Sequence, residues 1–272
     1  MGEIFEGSGD LTRASILALL NTVQLGRELH LHDQLGSTND EAHRLAEAGA
    51  PHGTLVIAER QTAGRGRRGR SWVAPPGKSI AMTLVLRPRL PAARAPELAF
   101  AGALAVCETA RALGVERAQV KWPNDVQVAG KKLSGLLAEL RTSGRELSHV
   151  VLGVGVNVNT AQGELPEELR PLATSLAIER GAPIERARVA AELLGWLEHW
   201  LDAHENEGFE PLRLRWKELA ATLGKKVRVE KAAGESPLEG IAEDLDADGA
   251  LLVRTASGEL RRVHAGDVEH LR

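Results

Sequence analysis

KWPNDVQVAGKKLSGLLAELRTSGRELSHVVLGVGVNVN, residues 121–159, is the stretch on which the fold turns. Its runs 126–128, 133–141 and 147–157, together with 118–121 just ahead of it, read as four strands separated by the turn pairs Asn124-Asp125, Ala129-Gly130 and Ser143-Gly144. Connections that short join neighbours running in opposite directions, so the sheet is predicted to be largely antiparallel. Gly153 and Gly155 fall inside the last run, where a residue without a side chain weakens a strand. A ligand or another piece of backbone is expected to lie against them.

Working outward, 54–59 (TLVIAE) reads as a buried strand and 79–87 (SIAMTLVLR) as another. The Ala-rich run 96–113, stopped by Gly114, predicts a long helix suited to covering one face of the sheet. A further helix is predicted to start just after Ser37, because Thr38 and Glu41 have capping-box spacing and Ala42, Leu45 and Ala46 supply an apolar stripe. Downstream, 184–204 and 209–223 read as helices, with Trp196, Trp200 and Trp216 as core anchors. The fold class is therefore α+β. From Gly224 the texture changes to short strands, KKVRVE, LEGIAEDLD, GALLVRT and ELRRVHAGDV, the pattern of a small β-barrel. The expected division is an N-terminal extension over 1–27, a large domain over 28–223 and a small barrel over 224–272, the last too small to stand alone and so packed against the large domain or its substrate.

With 272 residues, 43% of them hydrophobic, the chain can bury a sizeable core. A formal net charge of −3 argues against a nonspecific nucleic-acid binder and against a polybasic membrane anchor, so any basic function must be local. One cysteine, Cys107, can form neither an internal disulfide nor a Cys-rich metal site, which points to a reducing compartment. The apolar run at 16–20 is too short for a membrane span or a secretory signal, and a cytoplasmic location is expected.

The strongest local signal is QTAGRGRRGRSW, 61–72, with arginines at 65, 67, 68 and 70. It matches GxGxxG and approximates a Walker A formally, but both motifs need a helix directly after the glycines, and SWVAPPGK with Pro75 and Pro76 forbids one. Glycines here let backbone amides wrap a phosphate, and arginine forks bind it bidentately. Taken alone, the loop is as readily a solvated basic segment, touching nucleic acid or not, as a holder of phosphate. KWPND gathers a cation, an amide and a carboxylate at a strand end, although Pro-Asn-Asp is also ordinary turn chemistry. Lys132 stands at the entrance of a strand whose Ser134-Gly135 pair lets something approach; alone it would be a solvated strand end. None of the nine histidines sits in an acid-base or metal motif, His30 and His32 reading as ordinary polar residues on a strand.

Taken together and in order, GSTNDEA (36–42), QTAGRGRRGRSW, KWPNDV, KKLSGLLAEL and GVGVNVN closely resemble the bacterial biotin protein ligases, over about residues 36–159 and more loosely over the barrel. The resemblance implies a class II synthetase-like catalytic domain, a mixed, largely antiparallel sheet with helices on one face, followed by an SH3-like barrel. It implies activation of biotin by ATP and Mg²⁺ to biotinyl-5'-AMP and transfer to a lysine of a biotin carboxyl carrier protein. By that likeness Ser37, Thr38, Asn39 and Gln61 bind biotin; Gly64, Arg65, Gly66 and Arg67 hold the carboxylate and α-phosphate. Lys132 stabilises the transition state with Arg67 and Lys121, Gly135 and Gly155 line the site, and Trp72 and Asn157 contact the adenylate. Asn124 and Asp125 lie near the phosphates, with Asp125 toward the metal, and the arginine loop closes over the intermediate. A homodimer is plausible by the same likeness. With about 27 residues ahead of the first catalytic strand, too few for an independent fold, no DNA-binding repressor function is expected. The rival readings are a lipoate or octanoate ligase or transferase and a nonenzymatic nucleic-acid-binding module.

Overall fold

The computed structural model describes residues 6–72, 75–144, 146–230 and 236–271. A short hairpin, β1 (Gly7–Ser8) and β2 (Leu11–Thr12), leads into α1 (Arg13–Leu19). Then come β3 (Leu29–Leu35), α2 (Thr38–Glu47), β4 (Leu55–Gln61), β5 (Ser79–Leu86) and α3 (Glu97–Ala112). The hairpin series follows as β6 (Ala118–Lys121), β7 (Asp125–Val128), β8 (Lys131–Ser143) and β9 (Glu146–Asn157), and after it α4 (Leu176–Arg180), α5 (Arg186–Glu207) and α6 (Glu210–Glu218). The chain ends in β10 (Lys226–Glu230), β11 (Leu238–Leu245), β12 (Leu251–Arg254), β13 (Leu260–Val263) and β14 (Asp267–His270).

The large sheet has seven strands in the order β3-β4-β5-β9-β8-β7-β6. Only β3 and β4 pair in parallel, because the helix α2 connects them, whereas the hairpins that follow force antiparallel pairing. Alternation along the strands separates two faces. Leu55 and Ile57 of β4 join the main core with residues of α3 and α5, while Val56 packs with Val85, Val151, Ala42 and Ala46 beneath α2. The long helices thus cover one face as expected, and α2 covers part of the other.

Beside α2 that second face is floored by small residues. Ala58, Ala81, Gly155, Gly135 and Asp125 are successive register partners from β4 to β7, and Lys121 of β6 faces Asp125. A parallel row runs through Thr83, Gly153 and Leu137. Directly opposed residues share a face, so the sheet carries a shallow trough that ends at a carboxylate and an amine.

Several local expectations need correction. The Thr38–Glu41 capping box does not form: Ser37 is the N-cap without a side-chain bond, Thr38 Oγ1 donates to Gln61 Oε1 at 3.1 Å, and Glu41 pairs with Arg44. A reciprocal box caps α1 instead, between Thr12 and Ser15, in a segment not foreseen as helical. Helix α6 ends at Glu218, short of 223, because the following residues are used in β-pairing: Val120 N donates to Leu219 O at 3.0 Å and Ala221 N to Val120 O at 2.8 Å.

The stretch ahead of residue 28 shares the main core through Leu11, Ile16, Leu20 and Leu25. It is also tied down by Arg186, 2% exposed, which donates to Asp10 and Glu59 at 2.7 Å each. The C-terminal segment is an antiparallel five-stranded sheet, β13-β12-β11-β10-β14, and its ladder has two ends, β13 and β14, among the described residues. Its Val227, Val229, Leu245 and Leu251 belong to the same continuous core. Trp122 Nε1 donates to Gly249 O at 3.1 Å across the junction. Cys107 is buried within α3, where burial pushes its thiol up to about 12 and leaves it unreactive.

His43 of α2 and His149 of β9 are both buried, with Nδ1 and Nε2 at 2.9 Å. Burial holds both below the ordinary histidine value, with Arg141 adding to the effect on His43 and His43 to that on His149. The unfolded chain then binds more protons than the folded one once the pH drops below about 6.5. Stability should be full above that value and decline as acid is added, so thermal melts from pH 7 to pH 5 should show the midpoint falling by several degrees. The decline should shrink in a His43→Gln/His149→Gln variant.

Candidate active site

The β6–β7 hairpin sets Lys121 directly opposite Asp125. Its turn contains the cis Trp122–Pro123 bond, and Trp122 is buried as a fastener to the C-terminal sheet. A bulge at the β7–β8 pairing, between Val126 and Gln127, leaves Leu133 unmatched and re-aims Lys132. Lys132 Nζ consequently meets Asp125 Oδ1 at 2.7 Å. Its end lies over Gly135, where a Cβ would stand 3.0 Å from both Cε and Nζ. The Lys132 backbone is gripped on its other side, N donating to Leu172 O at 2.7 Å and O accepting from Thr174 N at 2.9 Å. Asn157 Nδ2 anchors that gripping segment through Thr174 O at 3.0 Å. Partial burial pulls the Lys121 ammonium down from its ordinary value, Asp125 opposes that, and Lys132 adds to it. The result is a compact set of two amines and one carboxylate at the end of the trough.

The arginine strap lies over this face. It is a small hairpin of its own: Arg65 and Ser71 form a bridge, Gly66 N donates to Arg70 O at 2.7 Å and Trp72 N to Gly64 O at 2.9 Å. Its tip turns through left-handed Arg68 (φ 56°) and Gly69 (φ 73°). Pro75 follows without a helix, as the sequence required. The expectation that the strap wraps an anion with free backbone amides is corrected for Gly66, Arg70 and Trp72, whose amides already bond within the strap. Its arginine side chains make the contacts to the rest of the molecule. Arg65 forks onto Asp40 with two bonds of 2.7 Å, and its guanidinium holds the Asp40 carboxyl below the usual range. Half-buried Arg67 donates to Asn124 Oδ1 at 3.0 Å and Gly266 O at 3.4 Å. Arg68 donates to Glu230 O at 3.1 Å, and Arg70 to Asp267 Oδ2 at 2.6 Å. The strap therefore bridges α2, the β6–β7 turn and the C-terminal sheet.

At the α2 end of the trough stands a buried polar row. Ser37, Thr38 and Asn39 are each 4% exposed at the first turn of α2. Thr38 N donates to Gln61 Oε1 at 2.8 Å, and Thr83 Oγ1 lies 2.8 Å from Thr38 Oγ1 and 2.7 Å from Asn39 Oδ1. The interior glycines were expected to meet a ligand or backbone, and here they meet side chains. A Cβ on Gly153 would stand 2.3 Å from Asn39 Oδ1, and one on Gly155 would stand 2.4 Å from the Trp72 ring. Any side chain there would displace a member of the site. Gly64 is equally constrained, 2.5 Å from Trp72 O by the same construction.

The residues singled out from sequence thus fall into a cationic end (Lys121, Asn124, Asp125, Lys132, Gly135, Arg67) and a polar end (Ser37, Thr38, Asn39, Gln61, Arg65). Trp72 over Gly155 stands between them, and Asn157 lies behind Lys132. Sequence reasoning missed Asp40, Thr83, Glu139, Asp267 and the segment holding Lys132. Thr83 carried a signal, a polar residue within the apolar run SIAMTLVL; Asp267 carried none, lying 197 residues from Arg70. Among the described residues no group of three or more His, Cys, Asp or Glu side chains is gathered as a metal cage.

Residues 32–157 match the Biotin/lipoate A/B protein ligase family, and residues 222–271 match the Biotin protein ligase C terminal domain. The chain is 39% identical over 255 residues to the biotin–[acetyl-CoA-carboxylase] ligase of Mycobacterium tuberculosis, covering 90% of each. It is 36% identical over 261 residues to the bifunctional ligase/repressor BirA of Bacillus subtilis, covering 96% of this chain and 79% of that protein. Among solved structures it superposes on the biotin protein ligase from Aquifex aeolicus in complex with biotin and ATP with a TM-score of 0.77 and 28% identity, covering 90% of this chain and 99% of the other. The chain belongs to the biotin protein ligases, within the biotin/lipoate A/B protein ligase family. No helix among the described residues is long and apolar enough to cross a membrane.

Proposed function

We propose that this chain is an ATP-dependent ligase that converts biotin to biotinyl-5'-AMP and passes the biotinyl group to a lysine of a biotin carboxyl carrier protein. The observation that carries the reading is the trough itself. It has a floor of glycine and alanine, a buried row of amide and hydroxyl groups at one end, and Lys121, Lys132 and Arg67 at the other. An elongated acid with a polar head and an anionic tail fits that arrangement lengthwise, the head on Ser37, Thr38, Asn39 and Gln61.

In the first step a carboxylate oxygen attacks the α-phosphorus, and pyrophosphate leaves with the electrons of the broken P–O bond. Two anions meet and charge builds on the leaving group, so fixed cations do the catalytic work. Lys132 and Arg67 neutralise the oxygens of the reacting phosphate, with Lys121 behind them. Lys132 has an aim set in advance by Asp125 and by the backbone grip of the Leu172 and Thr174 segment. Trp72, whose Nε1 is buried with no hydrogen-bond partner, supplies a donor and a flat surface to the adenylate, and Asn157 backs it. In the second step the neutral amine of the acceptor lysine attacks the anhydride carbonyl and AMP departs. A free lysine with a value near 10.4 is mostly protonated, and neighbouring cations lower it. Asp125, with one oxygen given to Lys132, would hold a Mg²⁺ through its other oxygen, and such an ion would supply further charge neutralisation.

The test is exchange of labelled pyrophosphate into ATP. It should depend on biotin and be unmoved by lipoate at the same concentration. Exchange driven by lipoate alone would make the chain a lipoate-type ligase, and no exchange with either acid would defeat the reading.

A further inference from the structure

Glu139 of β8 falls inside KKLSGLLAEL but was given no role there, yet it touches both α2 and the arginine strap. Its Oε2 accepts from Asn39 Nδ2 at 2.7 Å and from Arg65 Nη2 at 3.3 Å. Arg65 is at the same time forked onto Asp40, the neighbour of Asn39, so the first strap arginine sits between α2 and β8. Glu139 is about a third exposed and Asn39 is 4% exposed.

We infer that Glu139 is a positioning residue that fixes the sense of the Asn39 amide and couples it to the seating of the strap. An ionised carboxylate can only accept, so the group facing it must be the NH₂ of Asn39. The carbonyl oxygen is thereby turned to Thr83 Oγ1 at 2.7 Å, over the bare backbone of Gly153. With the carboxylate removed, only the Leu137 carbonyl, 3.4 Å from Nδ2, is left on β8 to hold the amide's sense, and a flipped amide offers the wrong pattern of donor and acceptor to a polar ligand head. Arg65 spans the same oxygen, so strap docking and amide orientation answer to one group. The opposite arrangement, a neutral acceptor at this position, would leave the two independent.

The proposal rests on the biotin ligase reading, and the experiment separates the two. Strap docking is read without any ligand as the rate of tryptic cleavage at the arginines of 65–70, and biotin use as the KM and kcat of pyrophosphate exchange. Glu139→Ala should raise the cleavage rate about tenfold and the KM for biotin at least tenfold. It should leave kcat within about threefold and the melting midpoint within about 3 °C. Glu139→Gln retains the shape and an acceptor but not the charge, so it should recover most of the KM while cleavage stays fast. Arg65→Ala combined with Glu139→Ala should be cleaved no faster than the faster single variant. The proposal is overturned if Glu139→Ala lowers kcat with KM unchanged, if the strap is cleaved at the wild-type rate, or if the two substitutions multiply. A wild-type chain without biotin-dependent exchange overturns the functional reading instead, while the cleavage arm still decides whether Glu139 seats the strap.

Discussion

Lys132→Ala should slow adenylate formation about a thousandfold while the melting midpoint stays within a few degrees. A fixed cation near 4 Å from developing charge, at the effective dielectric of such a site, contributes on the order of 4 kcal/mol, and each 1.36 kcal/mol is a factor of ten in rate. Folding should survive because the Lys132 side chain is 40% exposed and its backbone bonds to Leu172 and Thr174 do not depend on it. The loss should fall mainly on kcat, as expected for a group that matters most when the phosphorus is in flight. Single-turnover formation of biotinyl-adenylate, measured by quench, is the check. A reduction of less than about tenfold would remove Lys132 from the chemistry.

Arg67→Ala is the second large effect. Its guanidinium reaches Asn124 in the β6–β7 turn and the carbonyl of Gly266 ahead of β14, so one side chain joins the strap to both parts of the molecule. Truncating a desolvated, hydrogen-bonded charge costs about 2–5 kcal/mol. Retention of the adenylate should therefore weaken by at least about thirtyfold, through faster release more than slower capture. The reading is the appearance of free biotinyl-adenylate during turnover without carrier protein. Partial burial lowers the guanidinium's affinity for its proton, with Asp267 and Asp125 opposing, yet an arginine stays charged throughout the working range. The loss should accordingly be the same at pH 6.5 and pH 8.5.

What could be read from sequence was whatever is written in neighbouring residues. The β6–β9 series followed from its turn pairs, and the absence of an α-helix after the strap's glycines, among the described residues, from Pro75 and Pro76. What escaped depends on partners far along the chain. Helix α6 stops early because Val120, about a hundred residues back, pairs with the residues after it. The Thr38–Glu41 box has the right spacing, but Gln61 and Thr83 compete for the Thr38 hydroxyl once the sheet is assembled. Lys132, Lys121 and Arg67 were noticed because cations cluster in short motifs. Glu139 was invisible because its meaning lies in register: a one-residue slip of β8 would place it on the opposite face, away from Asn39. The interior glycines were read correctly as places of close approach, but the side chains of Asn39 and Trp72 fill them.

The trough is made by leaving atoms out rather than by carving a cavity between bulky walls. Glycine is already the smallest residue, so genetic drift at Gly135, Gly153 or Gly155 can only subtract room and never add it. Acceptance of a bulkier acid must then evolve in the larger side chains about the glycines, such as Trp72 or Leu137, while the glycines hold still.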